Sequence, residues 1–143
     1  MKIAAVDYGR KRIGLAVCDP LGITVRGLDT IRVTGAPPET IAAVAKALKE
    51  EDVERVVVGL PLHDDGRESE RSREARAFAA ELAKVVGVEV VFHDEGLTTW
   101  EAEEAIKATG ERVRDAKKRG EVDRAAAVVL LRSYLRTLDG GSV

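Results

Sequence analysis

The sequence predicts an α/β fold with a mixed five-stranded sheet, three antiparallel strands plus two parallel strands, flanked by helices. Two short apolar runs, Lys2–Asp7 and Ile13–Cys18, carry almost no charge and are joined by a tight turn, which is typical of neighbouring strands buried inside a sheet. Two later runs, Val53–Gly59 and Val88–His93, each follow a helical pattern, as strands do in parallel crossover units. An alanine-rich apolar helix, Val122–Leu138, is expected to pack against this sheet.

The segment after the first hairpin completes the antiparallel part of the predicted sheet. Asp19–Gly22 has the composition of a turn, and Thr24–Val33 alternates well enough to form a third strand. Gly35–Pro38 interrupts this strand, and Pro38 suits the first turn of a helix. The apolar face of that helix is expected to consist of Ile41, Val44, Ala45 and Leu48.

The second half of the chain alternates helices with strands and then ends in helices. A helix is expected over about Glu68–Val86, with Gly87 as its stop signal. A further helix over about Thr98–Thr109 opens with a capping-box pattern, whereas the charged segment Glu111–Glu121 is interpreted as a loop. The complete order of strands and helices matches the ribonuclease H-like architecture.

Length and composition favour a single globular domain over residues 1–143, with room for a hydrophobic core. No apolar run approaches membrane length, and the first residues lack the layout of a signal peptide. The single cysteine, Cys18, lies in a predicted strand, which excludes a disulfide framework and a thiolate metal cluster. A cytoplasmic protein is therefore expected.

A carboxylate at the end of the first strand is the first candidate for chemistry. Asp7 ends a strand that is expected to be buried on both faces, where an ionised carboxylate is costly unless cations or hydrogen-bond donors face it. A bound metal ion would explain its presence, but so would a turn in which the carboxylate bonds its own backbone ahead of Gly9. Gly14, opposite in the hairpin, favours the metal, because a missing side chain there would let a metal ion or a phosphate approach Asp7.

Two further acids are expected to come to the same place. Glu95 follows the fifth strand, where parallel strands gather ligand groups, although a solvated acidic turn would explain it equally well. Asp123 lies in the first turn of the last helix, where the helix dipole alone favours an acid. Three converging carboxylates suit Mg²⁺ or Mn²⁺, which prefer oxygen ligands and can act on a phosphodiester. We predict that the catalytic residues and the metal ligands are Asp7, Glu95 and Asp123.

Basic residues near these acids are candidates for binding a nucleic-acid backbone. The formal net charge is −2, so such binding would depend on local patches. One patch is the turn that follows Asp7, for which phosphate binding and simple solvation are equally open interpretations. The other is the charged segment ahead of Asp123, which has a local excess of basic residues. The predicted nucleic-acid contacts are Arg10, Lys11, Arg12, Lys117, Lys118 and Arg119.

Five motifs occur in a fixed order along the chain, and they are Asp7–Val17, Val57–Leu62, Asp65-Gly66, Asp94–Thr99 and Val122–Ala127. With these motifs the sequence resembles the YqgF-type nucleases, a family of pre-16S rRNA nucleases related to Holliday-junction resolvases. The resemblance covers nearly the whole chain and implies a ribonuclease H-like active site in which Asp7, Glu95 and Asp123 bind metal. The chain departs from the family at Gly96, where Arg or another large residue is usual. Ala126 and Ala127 also stand where resolvase relatives tend to carry a further acid.

The resemblance implies an endonuclease that uses Mg²⁺ or Mn²⁺ to process the 5′ end of pre-16S rRNA in ribosome biogenesis. Its partner would be structured RNA, without a membrane, and the protein would act as a monomer or homodimer. One alternative is a Holliday-junction resolvase that cleaves branched DNA, which a stable two-fold dimer would favour. A catalytically silent nucleic-acid-binding module is a second alternative. An actin- or sugar-kinase-like ATPase is a third, but it would need two such domains.

Overall fold

The computed structural model describes residues 1–61, 69–94, 98–118 and 120–140. Within these ranges six strands form one mixed sheet: β1 (Ile3–Tyr8), β2 (Arg12–Cys18), β3 (Val25–Gly27), β4 (Ile31–Arg32), β5 (Arg55–Leu60) and β6 (Glu89–Asp94). The strand order is β3-β2-β1-β5-β6, and β4 also pairs with β2. All pairs within β1–β4 are antiparallel, whereas β1–β5 and β5–β6 are parallel. The predicted mixed α/β sheet is therefore confirmed, with six short strands rather than five.

Helices cover both faces of this sheet. They are α1 (Pro37–Glu50), α2 (Glu70–Val86), α3 (Thr98–Ala108), α4 (Val113–Lys118) and α5 (Glu121–Gly140). Helices α1 and α2 pack on one face, and α5 packs on the other. Across the described ranges, no helix combines the length and the apolar character that a membrane crossing requires.

Burial on both faces explains why the central strands lack the alternating pattern of a half-exposed strand. In β1, Ala4 and Val6 belong to the core under α1 and α2, whereas Ile3 and Ala5 belong to the core under α5. Successive side chains of a strand point to opposite faces, so a strand between two helix layers must be apolar at almost every position. Because each fully buried aliphatic side chain contributes about 1.5–3 kcal/mol, this strand is a major source of stability.

The ends of the first two helices follow from local sequence signals. Helix α1 begins with prolines in its first turn, as expected. Helix α2 begins two residues later than predicted because Ser69 caps it, accepting a 3.0 Å hydrogen bond from the Ser72 amide. The helix then ends at Gly87, which has a φ of 74°, a left-handed conformation that favours glycine.

The structure corrects the sequence interpretation in two places. The predicted third strand is interrupted between Gly27 and Ile31, so that it forms both β3 and β4. Within the interruption the Thr30 hydroxyl bonds outside the sheet, donating to the Gly120 carbonyl at 2.7 Å. The segment Glu111–Glu121 was expected to be a loop but contains α4. Val113 and Ala116, three residues apart, place an apolar stripe of that helix against neighbouring hydrophobic residues.

Candidate active site

Asp7 lies at the carboxyl end of β1, on the face of the sheet that α5 covers. This follows from strand alternation, because Ile3 and Ala5 of the same strand are buried under α5. The residue is only 9% exposed, one of the few buried polar residues in the described part of the chain. The buried position that the sequence predicts for this carboxylate is the one observed. The free energy of burying its charge has to be offset by the groups around it.

Gly14 brings Asp123 next to Asp7. The two strands pair so that Gly14 lies directly opposite Asp7, and both residues face α5. A Cβ atom on Gly14 would overlap the backbone carbonyl of Asp123, so the first turn of α5 rests directly on the glycine. The first turn of α5, which carries Asp123, therefore lies over the strand pair that carries Asp7. The space beside Gly14, which we had expected to admit a metal ion or a phosphate, is occupied by the backbone of α5.

An arginine of β2 binds the Asp123 carboxylate. The Arg12 Nε atom donates a 2.9 Å hydrogen bond to Asp123 Oδ2. The two side chains are 27% and 25% exposed, so this ion pair is partly shielded from water. Arg12 and Gly14 are two positions apart on β2 and share a face of the sheet. A predicted phosphate contact is thus paired with a predicted metal ligand.

The third predicted acid, Glu95, lies outside the described residues, as does Gly96. Its neighbour Asp94 ends β6 and pairs with Leu60, so β6 and β5 end at the same edge of the sheet. Because β1 is parallel to β5, its carboxyl end with Asp7 lies at that edge as well. In the part of the chain that the structure describes, no three His, Cys, Asp or Glu residues form a group that could hold a metal ion. The role of Glu95 stays a prediction.

The predicted nucleic-acid contacts have different surroundings. Arg10 makes two hydrogen bonds to Glu74, of 3.0 Å and 2.9 Å, and Lys117 lies 3.3 Å from Glu103. The hydrogen bonds to Glu74 raise the pKa of Arg10 above its usual value and, reciprocally, lower the pKa of Glu74. The Lys11 side chain is exposed. Outside the described part lie the side chain of Lys118 and the whole of Arg119.

The connection between β3 and β4 holds the first turn of α5 in place, a role that sequence patterns did not reveal. The Arg124 Nε atom donates a 2.9 Å hydrogen bond to the Leu28 carbonyl, and its aliphatic stem lies over Gly27. The Thr30 hydroxyl fixes the residue before the helix, Gly120, whose φ of 75° favours glycine. Together with Gly14, these contacts hold the first turn of α5, which carries Asp123, against the sheet. Because the partners are far apart in sequence, only a three-dimensional structure could reveal them.

Replacing Arg124 with Met is expected to lower the free energy of unfolding by about 1–1.5 kcal/mol. Met keeps an apolar stem but loses the hydrogen bond from a charged group to the Leu28 carbonyl. The 3.3 Å ion pair of Arg124 with the fully exposed Asp29 should contribute little. Urea unfolding monitored by circular dichroism measures the loss, with Asp29→Asn as the control. A loss at Asp29→Asn equal to that of Arg124→Met would contradict this assignment.

His93 is a further polar residue near the acids that sequence analysis did not single out. It pairs with Gly59 of β5. The residue before Gly59, Val58, pairs with Val6 of β1, the residue before Asp7. Its Nε2 atom lies 2.9 Å from the Ser133 hydroxyl of α5, which fixes the ring against that helix. Val91, two residues earlier, packs in the core under α5, so strand alternation would have placed His93 on the acid-bearing face.

The pKa of His93 is expected to lie below its ordinary value of 6.5, because burial disfavours the charged ring while nearby Asp94 opposes that effect. A histidine whose pKa is lower in the folded state makes the protein less stable as the pH falls below 6.5, since the unfolded chain then binds more protons. An NMR titration of the two histidine rings measures this directly. A His93→Gln variant assigns the signals, and a His93 pKa at or above 6.5 would contradict the prediction.

Comparison with known proteins identifies sequence relatives over almost the whole chain. Residues 1–137 match the family model RuvX, described as Holliday junction resolvase. A "Putative pre-16S rRNA nuclease" of Syntrophus aciditrophicus is 42% identical over 135 residues, which cover 94% of this chain and 88% of the relative. A relative with the same name from Anaeromyxobacter dehalogenans is 44% identical, covering 94% of this chain and 96% of the relative.

Comparison with solved structures shows the fold. Thermus thermophilus RuvC in complex with a Holliday junction substrate aligns with a TM-score of 0.59 and 17% sequence identity. The alignment covers 98% of this chain and 97% of that chain. A second structure of Thermus thermophilus RuvC aligns with a TM-score of 0.56. At this identity the likeness establishes a shared ribonuclease H-like architecture, and activity has to be argued from the site.

Proposed function

Because this chain belongs to the RuvX family, we propose that it is a metal-dependent endonuclease that processes the 5′ end of pre-16S rRNA. The observation that carries this proposal is the contact of the Asp123 backbone with Gly14, the residue paired with Asp7 on the neighbouring strand. A buried carboxylate such as Asp7 lowers stability unless cations or hydrogen-bond donors compensate for its charge, and a metal ion is one such cation. The names of the curated relatives support pre-rRNA as the substrate.

The residues present fit a hard divalent cation. Asp7 and Asp123 offer carboxylate oxygens, the ligand type that Mg²⁺ and Mn²⁺ prefer, and Glu95 would add a third carboxylate. One of these carboxylates, that of Asp123, already binds a cationic group, the guanidinium of Arg12. A divalent ion bound by these acids would supply positive charge to the phosphate and lower the pKa of a water molecule.

The remaining residues near the acids would orient the substrate. Lys11 is exposed in the turn between β1 and β2, close to Asp7 in the chain, and can attract the phosphate backbone without reading its sequence. Arg12, with a forked guanidinium group, can donate two hydrogen bonds to one phosphate. Asp7 lies on a buried central strand, which fixes the position of its backbone. Such rigid positioning is what in-line attack on a phosphodiester requires.

Two alanines of α5 favour the RNA-processing role over junction resolution. Ala126 and Ala127 are 1% and 0% exposed, so this part of α5 is apolar and packed against the fold. Resolvase relatives tend to carry a further acid here, and this chain has none. The compartment that suits an rRNA-processing enzyme is the cytoplasm, in agreement with the single buried cysteine.

Parallel cleavage assays test the proposal. Labelled precursor rRNA and a labelled four-way DNA junction are each incubated with Mg²⁺, with Mn²⁺ and with chelator. We expect cleavage of the RNA near the 5′ end of the mature sequence, dependent on the divalent ion. Cleavage of the junction alone would instead favour the resolvase.

Binding assays on the same substrates separate a nuclease from a silent module. If neither substrate is cut while RNA binding is retained and is insensitive to Asp7→Asn, the nuclease proposal is wrong. Sedimentation of the protein with and without RNA then measures the oligomeric state and distinguishes a monomer from a homodimer. A two-fold dimer combined with junction cleavage would be the signature of a resolvase.

A further inference from the structure

Arg12 is the cation that neutralises Asp123 in this structure, and its position raises a problem for metal binding. The Arg12 Nε atom donates a 2.9 Å hydrogen bond to Asp123 Oδ2. An arginine and a divalent ion bound to one carboxylate repel each other, and the repulsion is stronger where water is partly excluded, so each weakens the binding of the other. Metal binding to Asp123 therefore has to weaken or displace this contact.

We propose that Arg12 exchanges partners, binding Asp123 in the metal-free protein and a substrate phosphate in the metal-bound protein. This inference rests on the proposed function, because it assigns Asp123 to the metal. A guanidinium group carries five N–H donors in a fork that matches a phosphate, and the contact to Asp123 uses the one on Nε. Arg12 begins β2, at the end of the turn that follows Asp7, so a released side chain stays beside the acids.

The exchange couples metal binding to nucleic-acid binding. A divalent ion releases Arg12, and the released arginine then attracts the phosphate that the ion also contacts. A bound phosphate, in turn, removes Arg12 from Asp123 and makes the carboxylate available to the ion. By thermodynamic linkage each ligand must strengthen the binding of the other by the same factor. The ion pair would also keep Asp123 compensated in the absence of metal, which limits the cost of a partly buried carboxylate.

Among the basic residues at this turn, Arg12 is the one whose contact with Asp123 allows this exchange of partners. Arg10 makes two hydrogen bonds to Glu74 of α2, and these hold its fork away from Asp123. The Lys11 side chain is exposed, and its backbone carbonyl accepts a hydrogen bond from the Val33 amide. Arg12, by contrast, forms an ion pair with Asp123, one of the predicted metal ligands.

Metal titration in the absence of nucleic acid tests the first half of the inference. Mn²⁺ binding is measured by calorimetry on the wild type, on Arg12→Gln and on the control Arg26→Gln. The control removes an arginine of β3 that is paired with Glu51. Arg12→Gln is expected to bind Mn²⁺ about fivefold more tightly, which corresponds to about 1 kcal/mol, the size of a partly exposed ion pair. The control should match the wild type. A residue that merely supports the site would change the affinity in the opposite direction, because its loss would disorder the ligands.

RNA binding tests the second half. The anisotropy of a short labelled RNA is followed with and without Ca²⁺, which also takes oxygen ligands. In the wild type and in Arg26→Gln, Ca²⁺ should tighten RNA binding about tenfold, within the usual range of coupling between sites. In Arg12→Gln the factor should fall below about twofold. Thermal unfolding of each variant checks that the protein remains folded.

The outcomes separate a failure of this inference from a failure of the proposed function. If wild-type Mn²⁺ binding depends on Asp7 and Asp123 but Arg12→Gln binds the ion no more tightly, the exchange is wrong and the metal site stands. Full retention of the Ca²⁺ effect on RNA binding in Arg12→Gln would also overturn the exchange. If the wild type shows no Mn²⁺ binding that is sensitive to Asp7→Asn or Asp123→Asn, both proposals are overturned.

Discussion

Replacing Asp7 with Asn is expected to reduce the rate of RNA cleavage by about a thousandfold or more. The amide has nearly the same shape as the carboxylate, so the packing of β1 should be retained. It lacks the negative charge, however, and binds a hard divalent cation poorly. Loss of several kcal/mol of charge stabilisation in the transition state corresponds to a rate decrease of this order.

Single-turnover cleavage with saturating Mg²⁺ or Mn²⁺ measures this effect, and urea unfolding checks the stability of the variant. Asp7→Asn should remain folded, because Asn has nearly the same shape and volume as the buried Asp7 side chain. Asp52→Asn is the matched control. It lies in the turn after α1, is exposed and has a φ of 54°, which Asn also tolerates. Full activity in Asp7→Asn would remove this residue from the active site.

Replacing Gly14 with Ala is expected to reduce cleavage about a hundredfold and to destabilise the protein by about 1–3 kcal/mol. The added methyl group would overlap the backbone carbonyl of Asp123, and a backbone atom cannot move aside as the end of a flexible side chain can. The first turn of α5 would have to move away from the sheet. Because Asp123 lies on that turn, it would move relative to Asp7, and a displacement of about 1 Å can cost that much activity.

Gly35→Ala provides a control with the same chemical change. A methyl group at Gly35 would meet no atom within 4 Å, so neither activity nor stability should fall. Both variants are examined by single-turnover cleavage and by urea unfolding, so that a catalytic effect is separated from partial unfolding. Wild-type stability together with wild-type cleavage in Gly14→Ala would show that the helix does not depend on this close contact.

Strand direction and the order of strands and helices along the chain could be predicted from the sequence because they depend on local patterns. Apolar runs without alternation indicated strands buried on both faces, and the helices between the later runs indicated parallel pairing. The interruption at Leu28–Thr30 was not predicted, and its Thr30 side chain bonds to Gly120, a contact between distant parts of the chain that no local pattern reveals. Helix α4 was missed because its apolar stripe of Val113 and Ala116 lies within a run of charged residues.

The burial of Asp7 could be predicted from the sequence, whereas the partners of the nearby basic residues could not. Asp7 could be recognised as a candidate because a carboxylate is conspicuous at the end of an apolar strand. The placement of the first turn of α5, which carries Asp123, is decided by Gly14, whose missing side chain lets the helix backbone reach the sheet. The partners of Arg10 and Arg12 were not predictable. One binds Glu74 of α2 and the other Asp123 of α5, and both contacts join distant parts of the chain.

The sequence by itself determined the α/β class, the buried strands and the candidate acids, because burial patterns and isolated polar residues are local properties of a chain. The tertiary structure alone decided which charges face one another. Electrostatic pairing depends on distances of a few ångströms between residues that the chain separates widely. The same sequence motif therefore contains Arg10, which is held by a helix on one face of the sheet, and Arg12, which lies beside Asp123 on the other.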